Sequence, residues 1–197
     1  MSAAATPATD RAVDKRQRIL DAALALFVTR GFHGTAVPLI SEQAEVAIGT
    51  IYRHFKDKDE LVNVLYRTCK TELTSALFGA PEPPAPWRTR FGRIWRRLFQ
   101  FAQEHPHKIE FLELQLHGDY LDAESRALEQ ATAAHLFAFI AEAQADEAMV
   151  EMTPIALLAL VYGAFLGVLR ASASGWLVID DALIAASEER VWALIRR

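Results

Sequence analysis

The chain has 197 residues, of which 52% are hydrophobic and 23% are charged, and its formal net charge is −4. Such a chain can bury the core of one domain, or of a small domain joined to a larger one. Its single cysteine, Cys69, excludes an internal disulfide framework and a cysteine-rich zinc site, which is typical of a reducing compartment. The opening residues MSAAATPATD lack the pattern of a signal sequence, so we expect a cytoplasmic protein whose residues 1–13 form a disordered arm.

Charge is distributed unevenly along the chain. Residues 11–58 hold eight basic and five acidic side chains, whereas residues 81–197 hold eleven basic and sixteen acidic ones. A basic N-terminal end on an acidic body indicates a polyanionic partner for that end. Four residues near the start could clamp a phosphate strand or could simply be solvated: Arg11, Lys15, Arg16 and Arg18.

Apolar residues recur with helical period along the whole chain, and no segment alternates like a strand. A first helix is predicted over 14–29, with Gly31 at the position that ends it. A second helix is predicted over 35–44, with Thr35 as its N-cap and Pro38 in its first turn. A third short helix follows over 47–55, and a fourth runs from about residue 58 to 78.

The stretch GAPEPPAP, residues 79–86, cannot continue a helix and marks a boundary between a small N-terminal unit and the rest. Further helices are predicted over 87–104, 106–117, 122–144, 154–174 and 180–196. The predicted fold class is therefore all-α, with about nine helices and a C-terminal helical bundle.

The second and third helices form a helix-turn-helix pattern, because two short helices are joined by about two residues and flanked by longer ones. In that arrangement the second short helix enters the major groove of DNA. On a helical wheel, Ile51 and Phe55 lie 40° apart and can anchor the helix inward. The neighbouring Gly49, Thr50 and Arg53 are then able to face a groove.

The segment RILDAALALFVTRGFHGTAVPLISEQAEVAIGTIYRHFKDKDEL resembles the DNA-binding domain of TetR family transcriptional regulators. The resemblance implies a helix-turn-helix domain over 14–60 and a ligand-binding and dimerisation domain over 61–197, connected by the helix of residues 58–78. It implies that Ile48, Gly49, Thr50 and Arg53 face the groove and that Thr35, Tyr52, His54 and Lys58 hold phosphates. The expected DNA-contacting set is Thr35, Ala36, Val37, Ala47, Ile48, Gly49, Thr50, Tyr52, Arg53, His54 and Lys58.

Three residues depart from the family pattern. Glu45 stands where the turn usually has glycine, so we expect a non-glycine residue in a left-handed conformation, at a cost of about 1 kcal/mol. Leu39 replaces a customary acidic residue, and Ser41 replaces a customary alanine. None of the three removes an expected DNA contact.

The resemblance also implies a homodimer whose last two helices form a four-helix interface with those of a second copy. The run from Ile155 to Leu169 has 15 uncharged residues, too few to span a bilayer, so we expect a helix buried on nearly all sides within protein. The expected interface residues are Gly163, Gly167, Ile184, Val191 and Ile195. The glycine pair fits packing within one chain equally well.

By the same resemblance, a small-molecule effector binds inside the C-terminal bundle, where aromatic residues are abundant and inward polar groups are few. This predicts an apolar or aromatic effector, although the same aromatic residues could be plain core. The expected effector residues are Trp95, Phe99, Phe111, Gln115, His117, His135, Phe139, Tyr162 and Phe165. The expected partners are therefore double-stranded operator DNA, a small-molecule effector and a second copy, with no membrane.

Other functions are weighed against this one. Glu113 with His117, and His105 with His107, are spaced like metal ligands but lack a completing third ligand, and there is no GxGxxG, GxSxG or P-loop pattern. We therefore expect no enzyme, no cofactor and no metal. A helical module that binds only protein or small molecules stays possible, and it would show no salt-sensitive DNA binding.

Five arginines in the helix of residues 87–104 could form a site for an anionic ligand. They are Arg88, Arg90, Arg93, Arg96 and Arg97. Because three of them share the face opposite the apolar stripe, a solvated face is the favoured interpretation.

Overall fold

The computed structural model describes residues 8–80, 83–113 and 120–197, with side chains from residue 14 onward. These ranges contain α-helices and no strand, which confirms the predicted all-α class. The helices are α1 (Ala8–Arg30), α2 (Val37–Gln43), α3 (Ile48–His54), α4 (Lys58–Phe78), α5 (Trp87–Glu104), α6 (Pro106–Glu113), α7 (Ala123–Ala145), α8 (Pro154–Ala173) and α9 (Asp181–Ile195).

Two details of the N-terminal prediction differ from the structure. Helix α1 begins at Ala8, so residues 8–13, which were predicted as a disordered arm, continue the helix; residues 1–7 lie outside the described part of the chain. The N-cap of α2 is Ala36 and not Thr35. Helix α1 does end just before Gly31, as predicted; Gly31 has φ 67° and donates its N–H to the carbonyl of Phe27 at 2.9 Å.

The described residues form two compact units that do not follow chain order. The first holds residues up to Lys70 together with those between His105 and Arg126, and the second holds Thr71–Glu104 and Ala127–Arg197. Helices α4 and α7 therefore pass from one unit into the other. The predicted boundary at residue 60 does not coincide with the division between these units, because α6 and the start of α7 belong to the same unit as the N-terminal helices.

In the first unit, α1 packs on α2, α3 and α6. Phe27 of α1 is 1% exposed, and its ring stacks on Phe111 of α6 with 6.2 Å between ring centroids. Ile19, Ile51 and Leu61 are buried in the same unit. This packing fixes the platform on which α2 and α3 lie, because burial of these large side chains is the main favourable term.

A polar network ties α4 to the start of α7 within this unit. Buried Asn63 donates to the carbonyl of Tyr120 at 2.9 Å and accepts the hydroxyl of Ser125 at 2.8 Å. Asp122 accepts the Ser125 backbone N–H at 2.7 Å and an Arg67 N–H at 2.9 Å. Desolvation acts to raise the pKa of Asp122, but the hydrogen bonds from Ser125 and Arg67 and the arginine charge outweigh it and lower that pKa.

In the second unit, an aromatic cluster joins α5 to α8. Trp95 and Phe99 of α5 and Phe165 of α8 are at most 1% exposed, and the rings of Phe99 and Phe165 meet edge to face at 5.0 Å. The indole N–H of Trp95 donates to the hydroxyl of Ser187 at 3.1 Å, which satisfies its one polar group. These contacts make the three rings core residues of the second unit.

A buried carboxylate lies between α5 and α9 in the same unit. The side chain of Glu188 is 6% exposed; one of its oxygens pairs with Arg88, and the other lies 3.2 Å from Arg96. Gly92 lies directly beneath this carboxylate, where any Cβ would collide with it. The absence of a side chain at residue 92 is what lets Glu188 reach both arginines.

Helix α8 is far more exposed in one chain than predicted. Of its 20 residues only Leu157 and Phe165 are buried, while Ile155 is 61% exposed and Leu160 is 43% exposed. The expectation that this helix is buried on nearly all sides is therefore wrong for a single chain. Helix α8 is long and apolar enough to cross a membrane. Length and composition are weak evidence for this, because core helices of soluble proteins meet the same criterion.

Candidate nucleic-acid interface

Helices α2 and α3 are seven residues each and are joined by a tight turn over 44–47. Glu45 in this turn has φ 52°, which confirms the left-handed conformation predicted for it. The backbone N–H of Val46 donates to the carbonyl of Ser41 at 3.1 Å, and that of Ala44 to the carbonyl of Ile40 at 2.8 Å. The turn therefore has its own backbone hydrogen bonds despite the missing glycine.

Two side chains that the sequence analysis did not assign to the turn hold it in place. The hydroxyl of Ser41, a buried residue, donates to the carbonyl of Val46 at 2.6 Å. Arg18 of α1 donates to the carbonyl of Glu45 at 3.3 Å and pairs with its carboxylate at 3.1 Å. The departures from the family pattern at residues 41 and 45 could have indicated these contacts, because the side chains of serine and glutamate can form hydrogen bonds that alanine and glycine cannot.

Helix α3 presents a distinct outer face. Ile51 and Phe55 are each 2% exposed, so the predicted anchors are confirmed as buried. Tyr52 is 53% exposed and Ile48 is 44% exposed, which excludes the alternative that Tyr52 packs against α1. A Cβ at Gly49 would have no heavy atom within 4 Å, so nothing inside the protein requires glycine there.

The remaining candidates on these helices also lie at the surface. Arg53 is exposed, and Thr50 and His54 are half-buried. Ala36 and Ala47, which are exposed, are the N-caps of α2 and α3 and make no side-chain capping bond. Val37, the first residue of α2, is half-buried. These predicted DNA contacts on and beside α2 and α3 are therefore exposed or half-buried, and none of them is buried.

One predicted phosphate contact, Thr35, is corrected, and a second, Lys58, already has partners within the chain. Thr35 is fully buried, and its hydroxyl lies 2.8 Å from the Gly31 carbonyl and 3.2 Å from that of Leu26, to which it donates. Lys58 donates from its ammonium to the carbonyls of Phe32 at 2.8 Å and Thr35 at 3.0 Å. The same ammonium lies 4.0 Å from the centroid of the Phe32 ring. Both side chains help to hold the α1–α2 connection through these carbonyls, and the phosphate contact of Lys58 stays a prediction.

Of the basic arm, the exposed Arg16 lies over the ring of Phe55 at 5.5 Å and Lys15 is exposed. Arg18 is committed to the turn, as described above. Arg11 lies before residue 14, where the described side chains begin. Among the described residues, no group of three or more His, Cys, Asp or Glu side chains could hold a metal ion.

The predicted effector residues that the structure describes are distributed over both units. Phe111 belongs to the first unit, where its ring stacks on Phe27. Trp95, Phe99 and Phe165 fill the core of the second unit, and half-buried Tyr162 packs on Phe165 at 5.7 Å. The others are placed elsewhere: His135 is exposed and stacks on Phe78, Phe139 is half-buried, and Gln115 and His117 lie outside the described residues.

The predicted dimer residues divide into two groups. Gly163 and Gly167 of α8 are exposed, with no heavy atom within 4 Å of an added Cβ. Ile184, Val191 and Ile195 of α9 are at most 7% exposed and belong to the core of their own chain, so they are corrected as interface residues. The exposed residues of α9 include Ala182, Ala185, Ala186, Ala193 and Leu194, of which Leu194 is 57% exposed, together with charged Asp181, Glu189 and Arg190.

Family comparisons agree with this geometry. The family model described as "Bacterial regulatory proteins, tetR family" matches residues 19–65, and the one described as "Tetracyclin repressor-like, C-terminal domain" matches residues 66–197. The uncharacterised HTH-type transcriptional regulator YhgD of Bacillus subtilis is 30% identical over 101 residues, which are 51% of this chain and 53% of YhgD. The HTH-type transcriptional repressor KstR of Rhodococcus jostii is 43% identical over 49 residues, which are 25% of this chain and 23% of KstR.

These alignments span about half the length of the curated relatives or less. The fold, by contrast, is shared over nearly the whole chain. A TetR family transcription regulator from Marinobacter aquaeolei has a TM-score of 0.86 at 19% identity, covering 95% of this chain and 98% of that one. With both family models matching in order and an exposed, anchored α3, the chain belongs to the TetR family of DNA-binding transcriptional regulators.

Proposed function

We propose that the protein is a cytoplasmic, ligand-responsive repressor that binds a palindromic operator as a homodimer. The outer face of α3 supports the operator contact most directly, because Ile48, Gly49, Tyr52 and Arg53 are exposed while Ile51 anchors the helix. An exposed isoleucine and a glycine that no packing requires have no role within the chain. Both suit a helix that lies close to base edges in a major groove.

Repression as the sign of regulation rests on the relatives. KstR, which is named a repressor, shares 43% identity over 49 residues with this chain. A regulator that blocks transcription simply by occupying its operator needs no contact with other proteins. Repression is therefore the simplest outcome of the DNA contact proposed here.

The exposed face of α8 supports the homodimer. Ile155, Leu160, Gly163 and Gly167 lie on a helix with only two buried residues, so a large apolar surface faces outward. Surfaces of this kind mark interaction sites, and a symmetric dimer covers the same surface on both copies at once. The two glycines and the outward alanines of α9 allow the helices of two copies to approach closely. A twofold dimer would place two α3 helices about 34 Å apart, which predicts a palindromic operator.

A ligand would act by shifting the population of conformations. An effector that prefers a spacing of the α3 helices unsuited to the operator must weaken DNA binding, in proportion to its preference. The division of the chain into two units joined by α4 and α7 supports such a response, because ligand binding in one unit can bias helices that continue into the other.

Gel-shift titration of DNA flanking the gene, repeated over a range of salt concentrations, tests the DNA contact. Arg53→Ala is expected to lower affinity for the operator by about tenfold or more while lowering affinity for unrelated DNA much less, since a base-edge contact is worth about 1–3 kcal/mol. Arg126→Ala removes an exposed arginine of α7 and serves as the control with the same change of charge. Equal losses on both DNAs would refute the role given to Arg53.

Light scattering at micromolar concentration tests the dimer. The native chain is expected at twice the mass of one copy, and Leu160→Glu is expected to yield monomers because it buries a charge in an apolar interface. Ala134→Glu places the same charge on an exposed position of α7 and should leave the dimer intact. A monomeric native chain would contradict the proposal.

A further inference from the structure

A cleft of about 440 Å³ lies in the second unit, where α4 ends beside α5 and α7. Its volume falls within the range of about 300–1,000 Å³ that is typical of small-molecule sites. The apolar part of its wall comes from Leu77, Phe78, Ile94 and Phe139, with Pro83 and Pro84 on one side. Of the predicted effector residues that the structure describes, only Phe139 lines this cleft. No acidic residue lines the cleft in the described part of the chain.

Arg90 brings a positive charge to this apolar wall in a fixed orientation. Its guanidinium lies 3.9 Å from the ring of Trp87 and 5.1 Å from that of Phe139, so two aromatic side chains hold it. Its anionic partner is Glu142, at 3.8 Å, whose side chain is 64% exposed. Such a long, solvated ion pair contributes little, so another carboxylate can replace it at small cost.

Arg97 lies two turns further along α5 and has a structural contact. It donates to the carbonyl of Leu77 at 3.0 Å, in the last turn of α4, where carbonyls lack an intrahelical partner. Seven residues separate the two arginines, which corresponds to about 10 Å along the helix. Ile94 lies between them, so the cleft offers a cation at either end of an apolar stretch.

We propose that this cleft binds a small amphipathic anion, with its carboxylate on Arg90 and its apolar chain against Ile94 and Phe139. The planar guanidinium suits a carboxylate, since it can donate two parallel hydrogen bonds. A neutral molecule of the same shape gains only the apolar contacts. A cation is repelled by both arginines.

The site deepens the proposed ligand response, and its regulatory meaning rests on that proposed function. The predicted effector was apolar or aromatic; the arginines of the cleft make its chemical class anionic and amphipathic instead. The interpretation of the α5 arginines as a solvated face is correspondingly replaced. Arg88 and Arg96 pair with Glu188, while Arg90 and Arg97 line this cleft.

Calorimetric titration of the full chain, without DNA, tests the site with sodium octanoate as the probe. Its neutral and cationic twins are 1-octanol and octylammonium. Octanoate is expected to bind at least about fivefold more tightly than 1-octanol, and octylammonium more weakly than both. Arg90→Gln should remove this preference and leave 1-octanol binding within about twofold of its native value, because only a charge-assisted hydrogen bond is lost.

Further variants separate charge from shape. Arg90→Lys keeps the charge without the planar fork and should retain part of the preference for octanoate. Ile94→Trp fills the cleft and should weaken octanoate and 1-octanol together. Arg190→Gln removes an exposed arginine of α9 outside the cleft and should change neither. Circular dichroism confirms that each variant is folded before it is titrated.

The proposal is overturned if octanoate and 1-octanol bind native protein equally, if no binding of octanoate is detected, or if Arg90→Gln and Arg190→Gln behave alike. Gel-shift with octanoate is a separate arm. Octanoate that binds in the calorimeter without releasing operator DNA supports the cleft and counts against the ligand response. DNA that releases with octanoate in native protein but not in Arg90→Gln supports both.

Discussion

The buried carboxylate of Glu188 leads to a prediction about which partner matters more for stability. Glu188→Met removes the one buried charge of the cluster that Glu188 forms with Arg88 and Arg96. The two arginines left behind can be hydrated, because their side chains are 39% and 58% exposed. The cost of Glu188→Met should therefore be about 1 kcal/mol or less. Replacing both arginines by methionine leaves a carboxylate that is 6% exposed without a countercharge, which costs about 3–5 kcal/mol.

Urea unfolding followed by circular dichroism measures this difference. With an unfolding slope of about 1–3 kcal/mol per molar urea, the urea midpoint of the double arginine variant should lie at least about 0.7 M below that of Glu188→Met. All chains must be compared at one concentration, because the proposed dimer would make apparent stability depend on concentration. If Glu188→Met costs as much as the double replacement, the attraction within the ion pairs dominates and the argument from desolvation is refuted.

Three further predictions concern the same chain. Gly92→Ala should lower the free energy of unfolding of the native chain by about 1–2 kcal/mol, because the added Cβ displaces Glu188. In a chain that also carries Glu188→Ala, the same change should raise that free energy by up to about 1 kcal/mol, because alanine favours a helix more than glycine does. Changes of the same sign in both chains would contradict this prediction. Lys58→Gln should lower the free energy of unfolding by about 1–2 kcal/mol, because two charge-assisted hydrogen bonds to backbone carbonyls are lost. A loss of DNA affinity at unchanged stability would instead indicate that Lys58 acts mainly as a phosphate contact. Because folding lowers the pKa of Asp122, its charge stabilises the protein above the ordinary aspartate pKa, near 4, and this contribution is lost as pH falls through the lowered pKa. The urea midpoints of native protein and Asp122→Asn should therefore differ at pH 7 and converge as the pH falls below that lowered pKa.

Much of the fold and of the DNA-contacting face could be predicted from the sequence. The spacing of Ile51 and Phe55 predicts which side of α3 is buried, because a helix of seven residues has one anchored face and the rest must be outside. Glu45 could be assigned a left-handed conformation because, by the family resemblance, it stands where the turn usually has glycine. These features are local, so the order of residues along the chain is sufficient.

The partners of individual polar side chains could not be predicted in this way. Thr35 and Lys58 carry the right chemistry for phosphate, but the carbonyls that bind them belong to Leu26, Gly31 and Phe32 and come close only through the packing of α1. Phe111 likewise follows the linker in sequence and yet packs in the first unit, since α6 lies on α1. Proximity in the folded chain decides these roles.

The sequence by itself determined the helical class, the helix-turn-helix and the face of α3, because periodicity and turn chemistry act within a few residues. Only the tertiary structure decided which apolar faces are left without a neighbour and where a cleft opens. Helix α8 is apolar on nearly every side, so no pattern in it can distinguish a core face from an outer one. The same holds for Arg90 and Arg97, whose side chains line a cleft only because α4 and α7 contribute its other walls.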